Sequence, residues 1–322
     1  MFLNNKKSTM LLVAGATPPT ASNFFETTEP TIINPDVNTQ TFKRVSAKLG
    51  NTDSYVDTNQ NMISQSVTHN MRTSNKAADS LATPPEFGEL LKVAGFTETI
   101  DSGTPSQETV IYTNSQTPVR GSGAFYLDGK KYTATDRLVA DLTITGQAGQ
   151  IATMTSTVQG YLDNGGIPVD EVAPSVTLSS ESVVGLTTID IITAGGTTLT
   201  CDQFTLTTNP EITNVYGTST KQHDISDYDI VLELSYFVDG SNYADAMTKL
   251  NAQTVEAIDI KLNTTAGALV SGKSIHITAP LAKARSFADS GDQSKIKRTF
   301  TYGLQLDGSD TAVSIAMGYF AP

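Results

Sequence analysis

Few stretches of this chain bring together residue types that do chemistry. "GALVSGKS", Gly267 to Ser274, matches the phosphate-binding loop pattern G-x-x-x-x-G-K-[ST] letter for letter. That loop works where it leaves a strand and opens a helix, so that backbone N–H groups and the helix dipole face the phosphates. Here Lys273 and Ser274 run into "IHITAP", which is β-branched and stops at Pro280. No helix starts there, and the stretch reads as a hairpin connection. "GSGAFY" (121–126) lacks the third glycine of a dinucleotide loop and leads into a strand. His69, His223 and His276 are far apart and lack ligand-like spacing, so no metal site is expected. The single cysteine, Cys201, rules out an internal disulfide framework and reads as a small buried hydrophobe. Serine is abundant, but no base marks one as a nucleophile. The sequence carries no positive sign of an enzyme and calls for no cofactor.

One group of ionisable residues remains. In "DYDIVLELSYF", Asp227, Asp229 and Glu233 alternate with Ile230, Leu232 and Leu234. Side chains alternate across a strand, so the carboxylates would share one solvated face. The aliphatic set would pack inward against a helix around Tyr243, Met247 and Leu250.

The elements that would hold such a face follow from composition and period. The chain has 322 residues, 38% hydrophobic and only 17% charged, with no Trp. That is enough for a sizeable core, or two. The abundance of Thr and Ser favours a mainly-β or α+β protein. A formal net charge of −12 and a pI near 4.6 oppose tight binding of nucleic acid. The N-terminal run Met10–Ala14 after Lys6 and Lys7 loosely mimics a signal peptide but is short. No later apolar run is long enough to span a bilayer, so the expected compartment is the cytoplasm of the producing cell.

Residues 1–40 hold few periodic apolar positions and read as an extended arm. "RVSAKLG" and "NMISQSVTHNM" then alternate as strands. "TPPEFGELLKVAGF" is a helix sentence at 84–94. Thr83 and Glu86 make a capping box, and Pro84 and Pro85 fall in the first turn. Phe87, Leu90, Leu91 and Ala94 form one buried face, and Gly95 takes the left-handed position after the last turn. "YLDGKKY" supplies an Asp-Gly hairpin turn, and "LVADLTIT" and "ATMTSTVQGYL" are further strands. Gly, Pro and Ser in 163–180 mark a boundary. Strands follow again, then a polar loop at 209–224 and the long strand "DYDIVLELSYFV". A helix capped by Ser241 carries Tyr243, Ala246, Met247 and Leu250 on one face. Last come "EAIDIKL", "KSIHITAPL", a polar loop in "RSFADSGDQSK" and the strand "IKRTFTYGLQLDG". The order of elements repeats. The expected architecture is therefore an arm (1–40), a first β module (41–165), a linker (166–180) and a second β module (181–322). Each module would be a β-sandwich or small barrel with one short helix covering an open side.

The run "TLTCDQFTLTTNPEITNVYGTSTKQHDISDYDIVLELSYFVDG", a short helix, and "KSIHITAPLAKARSFADSGDQSKIKRTFTYGLQLDG" resemble the tail tube (major tail) proteins of long-tailed bacteriophages. "PPEFGELLKVAGF", "ETVIYTN", "LDGKKYTATD" and "ADLTITG" carry the same resemblance in the first half, so that it covers most of residues 40–320. It implies a structural virion protein without an active site, assembled in the host cytoplasm and resident in the virion tail. Its rings would stack into a hollow tube whose inner wall is a continuous barrel of sheets from neighbouring subunits. Family rings are typically six-fold, so a duplicated subunit would build the same wall from three chains. The partners implied are further copies of itself, tail-tip, tape-measure and terminator proteins, and genomic DNA passing through without specific binding; no membrane is implied. Asp227, Asp229 and Glu233 would then line the lumen. The alternatives are another virion component (tail terminator, distal tail or capsid decoration protein) or an Ig-like extracellular adhesin.

Overall fold

Runs with period two become strands almost wherever they occur. The computed structural model describes residues 8–24, 26–28, 36–43, 52–74, 84–101, 108–114, 119–177, 182–187, 190–216, 221–238, 245–291 and 295–320, with backbone only at 36–43, 52–60 and 216. The protein is mainly β. The first half contains β1 (Ser8–Ala14), β2 (Asp36–Lys43), β3 (Thr52–Asn70), α1 (Gly88–Val93), β4 (Phe96–Asp101), β5 (Thr109–Asn114), β6 (Gly121–Leu127), β7 (Lys130–Ala140), β8 (Leu142–Gln147), β9 (Gln150–Ile151) and β10 (Thr153–Tyr161). The second contains β11 (Val169–Asp170), β12 (Gly185–Leu186), β13 (Ile191–Ala194), β14 (Thr197–Leu199), β15 (Cys201–Tyr216), β16 (Lys221–Phe237), α2 (Asp245–Ala252), β17 (Val255–Leu262), β18 (Ile275–Gly291), β19 (Ile296–Leu304) and β20 (Ser314–Gly318).

Eighteen of the strands form one hydrogen-bonded network, which two bent strands fold into a sandwich-like stack. The wide sheet runs β2–β3–β10–β8–β15–β16–β19–β18, every neighbour antiparallel. The opposing layer runs β4–β5–β20–β18–β17–β13–β14. A four-stranded sheet, β1–β6–β7–β11, completes it. β18 belongs to two layers. Its first part pairs with β17 and β20, its last part with β19, and a bulge between Ala284 and Ser286 makes the turn. β7 and β8 do the same in the first half. β7 pairs with β6, then its end and β8 follow one another along β10. Asp141 sits at that bend, its carboxylate accepting the Thr157 N–H at 2.5 Å.

One cluster of buried side chains fills the stack. Alternate residues of the wide sheet supply one wall, among them Ile63, Val158, Ile144, Leu206 and Phe300. Ile260, Ile277 and Ile315 face them from the opposing layer. Ile230, Leu232 and Leu234 enter the same core. The halves share both layers: β8 pairs with β15, and the C-terminal β20 pairs with β5. Between them, Tyr228 donates its hydroxyl hydrogen bond to the Ala94 carbonyl at the end of α1, and Asn114 Nδ2 donates to the Tyr228 oxygen at 3.3 Å. Gly95, at φ +93°, lies beneath that ring; a Cβ there would meet the Tyr228 oxygen at 3.0 Å.

Several sequence expectations change. Met10, Leu11 and Leu12, placed in an irregular arm, are buried in β1, which pairs with β6 along its whole length. The apolar run is core strand. In the polar stretch 209–224, residues 209–216 end β15 and 221–224 begin β16, with 217–220 outside the described residues, and β18 continues through 284–291. Polar residues predominate on both faces there and concealed those strands, since few side chains of these stretches, His223 and Ala284 among them, are buried. α1 starts at Gly88, after a turn in which the Gly88 N–H donates to Pro85 O at 2.8 Å. The residue before the helix is Phe87, which makes no side-chain capping bond; Glu86 accepts the Glu26 N–H at 3.3 Å, and Thr83 of the expected capping box lies outside the described residues. Phe87, Leu90, Leu91 and Ala94 are buried as the spacing requires. α1 packs on β1 and β4, and Glu89 accepts the Ala14 N–H at 2.7 Å. The expected face of α2 is corrected at Met247, which is 56% exposed, while Ala246 is buried and Leu250 packs against the core edge. α2 packs on β18 rather than forming the cover for β16. Lys249 sets its orientation, bound to Glu256 at 2.8 Å and Asp245 at 3.2 Å. Ser241, Tyr243 and "RVSAKLG" lie outside the described residues.

Candidate assembly surface

The motifs with chemical potential resolve into structure. Gly267–Ser274 belongs to the loop between β17 and β18. The Ser274 hydroxyl is buried, accepting the Val270 N–H at 2.7 Å and donating to Asn263 O at 2.8 Å, so it closes the loop on itself. "GSGAFY" is β6, buried throughout. His69 donates to the Glu26 carbonyl, and burial lowers its pKa to about 4. His223 stacks on Tyr161 with ring centroids 4.7 Å apart; burial, then the Arg120 charge, lowers its pKa to about 4. His276 lies 3.3 Å from Asp259, and burial lowers its pKa too. Burial pushes the Cys201 thiol up to about 12. No group of three or more ligating side chains that could hold a metal occurs among the described residues, and no helix there is long and apolar enough to cross a membrane.

The wide sheet presents the most organised surface. Its inner residues are core; its outer residues are polar and nearly uniform. One row across the strands reads Thr68, Thr155, Thr143, Thr207. The next reads Asn70, Thr153, Thr145, Thr205, Glu233, Thr301, Ser286. Neighbouring hydroxyls touch: Thr68 and Thr155 at 3.1 Å, Ser235 and Thr299 at 2.7 Å. The runs "TMTST", "TIT" and "TLT" held this face in plain view as threonine at every second position. Asp227, Asp229 and Glu233 do share the outward face of β16. Asp229 is not a lone charge on that face. Arg285 grips it with Nη2–Oδ1 2.6 Å and Nη1–Oδ2 2.7 Å, which lowers the Asp229 pKa and raises that of Arg285. The partner lies 56 residues along the chain, across β19; no sequence spacing announces it.

The sheet also ends in two open edges. β2 pairs only with β3 among the described residues, and 284–291 of β18 pairs only with β19. β2 is eight residues long, the same as that free stretch of β18. Neither contains proline. The β18 stretch opens on the bulge at Arg285, and both stretches still present backbone groups that are templates for another strand. The two halves are built alike here. β2–β3–β10–β8 and β15–β16–β19–β18 both run first strand, second strand, last strand, bent strand. They meet where the bent β8 pairs with the first strand β15, from Gln147–Gln203 to Leu142–Thr208. The unused edges are again a bent strand and a first strand.

Comparison with protein-family models and with curated proteins finds no match to this chain.

Proposed function

We propose that this chain is a structural virion protein that closes head-to-tail into rings of three and stacks into a hollow tail tube, the conduit for genome delivery. One observation carries the reading: the β8–β15 junction inside the chain is a template for a β18–β2 junction between chains. Eight alternating antiparallel strands leave the two edge strands running in opposite directions. The pair formed between chains is therefore antiparallel, like every other neighbour in the sheet. A heterologous contact of this kind closes into a ring when the rotation permits, and closure removes both exposed edges. Three chains of eight strands give twenty-four, above the roughly 16–18 strands at which barrels enclose an aqueous channel. The resemblance to tail tube proteins supplies the function and the pseudo-six-fold expectation. The hydroxyl face would line the bore, and the net charge of −12 disfavours capture of passing DNA. Tail-tip, tape-measure and terminator proteins are the implied partners, and the virion tail is the site of residence.

Electron microscopy of the purified protein, alone and with a tail-tip complex, tests this. Long hollow tubes are expected. Single closed rings that never stack would instead mark a terminator or distal tail component. A monomer at high concentration under both conditions would defeat the reading.

A further inference from the structure

We propose that Arg285 is a latent phosphate-binding site on the outward face of the wide sheet, and that Asp229 is the built-in anion that occupies it. Arg285 stands at the bulge of β18, and its side chain crosses β19 to reach β16. It crosses at Gly303, where a Cβ would lie 2.1 Å from the Arg285 Nε. The crossing exists because that residue has no side chain. Beyond it the two terminal nitrogens meet the two oxygens of Asp229 at 2.6 and 2.7 Å. A planar fork meeting two oxygens is the geometry by which arginine takes carboxylate and phosphate alike. The pair stands open to solvent, with Arg285 47% and Asp229 45% exposed. Lys283, register partner of Gly303, puts a second cation on this part of the sheet. Val231 and Glu233 of β16, Thr301 of β19 and Asn209 of β15 complete the surroundings. The described outward side chains of β3, β10, β8 and residues 203–209 of β15 include no ionisable group. Arg285 therefore stands beside a long surface whose described side chains carry no charge, and an aspartate closes its fork.

The role of the mask rests on the reading of this face as a conduit wall: an open guanidinium in each subunit would hold a passing polyanion, and a closed one lets it slide. The site itself does not depend on assembly, so its test uses the full-length protein whatever its oligomeric state. The probe is a short fluorescent DNA duplex, titrated at low ionic strength and again with added salt. Asp229→Asn should raise affinity about tenfold, the scale of one freed charge-assisted contact, and the gain should fade with salt. Asp229→Asn combined with Arg285→Gln should return to the parent affinity, and Arg285→Gln alone should not exceed it. Asp229→Ser repeats the test should the amide disturb the strand. Parent-like binding by both single Asp229 variants would overturn the proposal, as would a double variant that binds as tightly as Asp229→Asn. A gain in DNA binding by protein that forms no tubes would keep the masked site while removing the conduit.

Discussion

Tyr228 shows how much can hang on one side chain. It lies in the second half, yet its hydroxyl satisfies the last carbonyl of α1 in the first. Tyr228→Phe should leave that buried carbonyl without its donor and lower stability by about 1–2 kcal/mol, read as a fall in denaturation midpoint with an unchanged slope. The buried histidines set the response to acid. Folding lowers the pKa of His69 and His223 from 6.5 to about 4. Between those values the unfolded chain binds more protons than the folded one, so stability rises with pH. Their contribution is full above pH 6.5 and is lost as pH falls toward 4. Thermal midpoints should hold above 6.5 and decline through that window, and replacing both histidines by Gln should flatten the decline. An equal slope in the double variant would assign acid sensitivity elsewhere. At this scale the sequence was legible where one face alternates, as in β16. It was silent on Arg285, whose meeting with Asp229 depends on a bulge and on Gly303.

The elements reverse that balance. Apolar spacing placed the buried residues of α1 correctly, and the Asp-Gly turn of "YLDGKKY" is there, with Asp128 at φ 45° and Gly129 at φ 83°. Local pattern failed where an element is polar on both faces or too short to show a period. The outer β15–β16 hairpin, the end of β18 and the strand β1 are the cases. For β1 the consequence is direct. Leu11 and Leu12 are 1% exposed, so removing β1 (Ser8–Ala14) should damage the fold. β2 is different, since among the described residues it pairs only with β3, which has β10 on its other side. Replacing residues 36–43 by a Gly/Ser segment of equal length should leave a folded chain by circular dichroism. That chain should stay monomeric by sedimentation and form no tubes, because one of the two joining edges is gone. Wild-type tube growth from this variant would separate assembly from the edges.

At the scale of the whole molecule, the wide sheet has the core on one side and threonine rows on the other. Its core, from the shared β18 to the strap formed by β20 and β5, holds both halves as one unit. Exposed sheet edges are templates for further strands; among the described residues the wide sheet ends in two of matching length, at opposite ends and running in opposite directions. The internal β8–β15 junction is the physical argument that they belong together in neighbouring chains. The decisive measurement is a reconstruction of the assembled particle by electron cryomicroscopy. The account requires three chains per ring, a closed wall of twenty-four strands, and β18 of one chain hydrogen-bonded antiparallel to β2 of the next along 284–291. Six chains per ring, or rings in which those two edges remain unpaired, would contradict it.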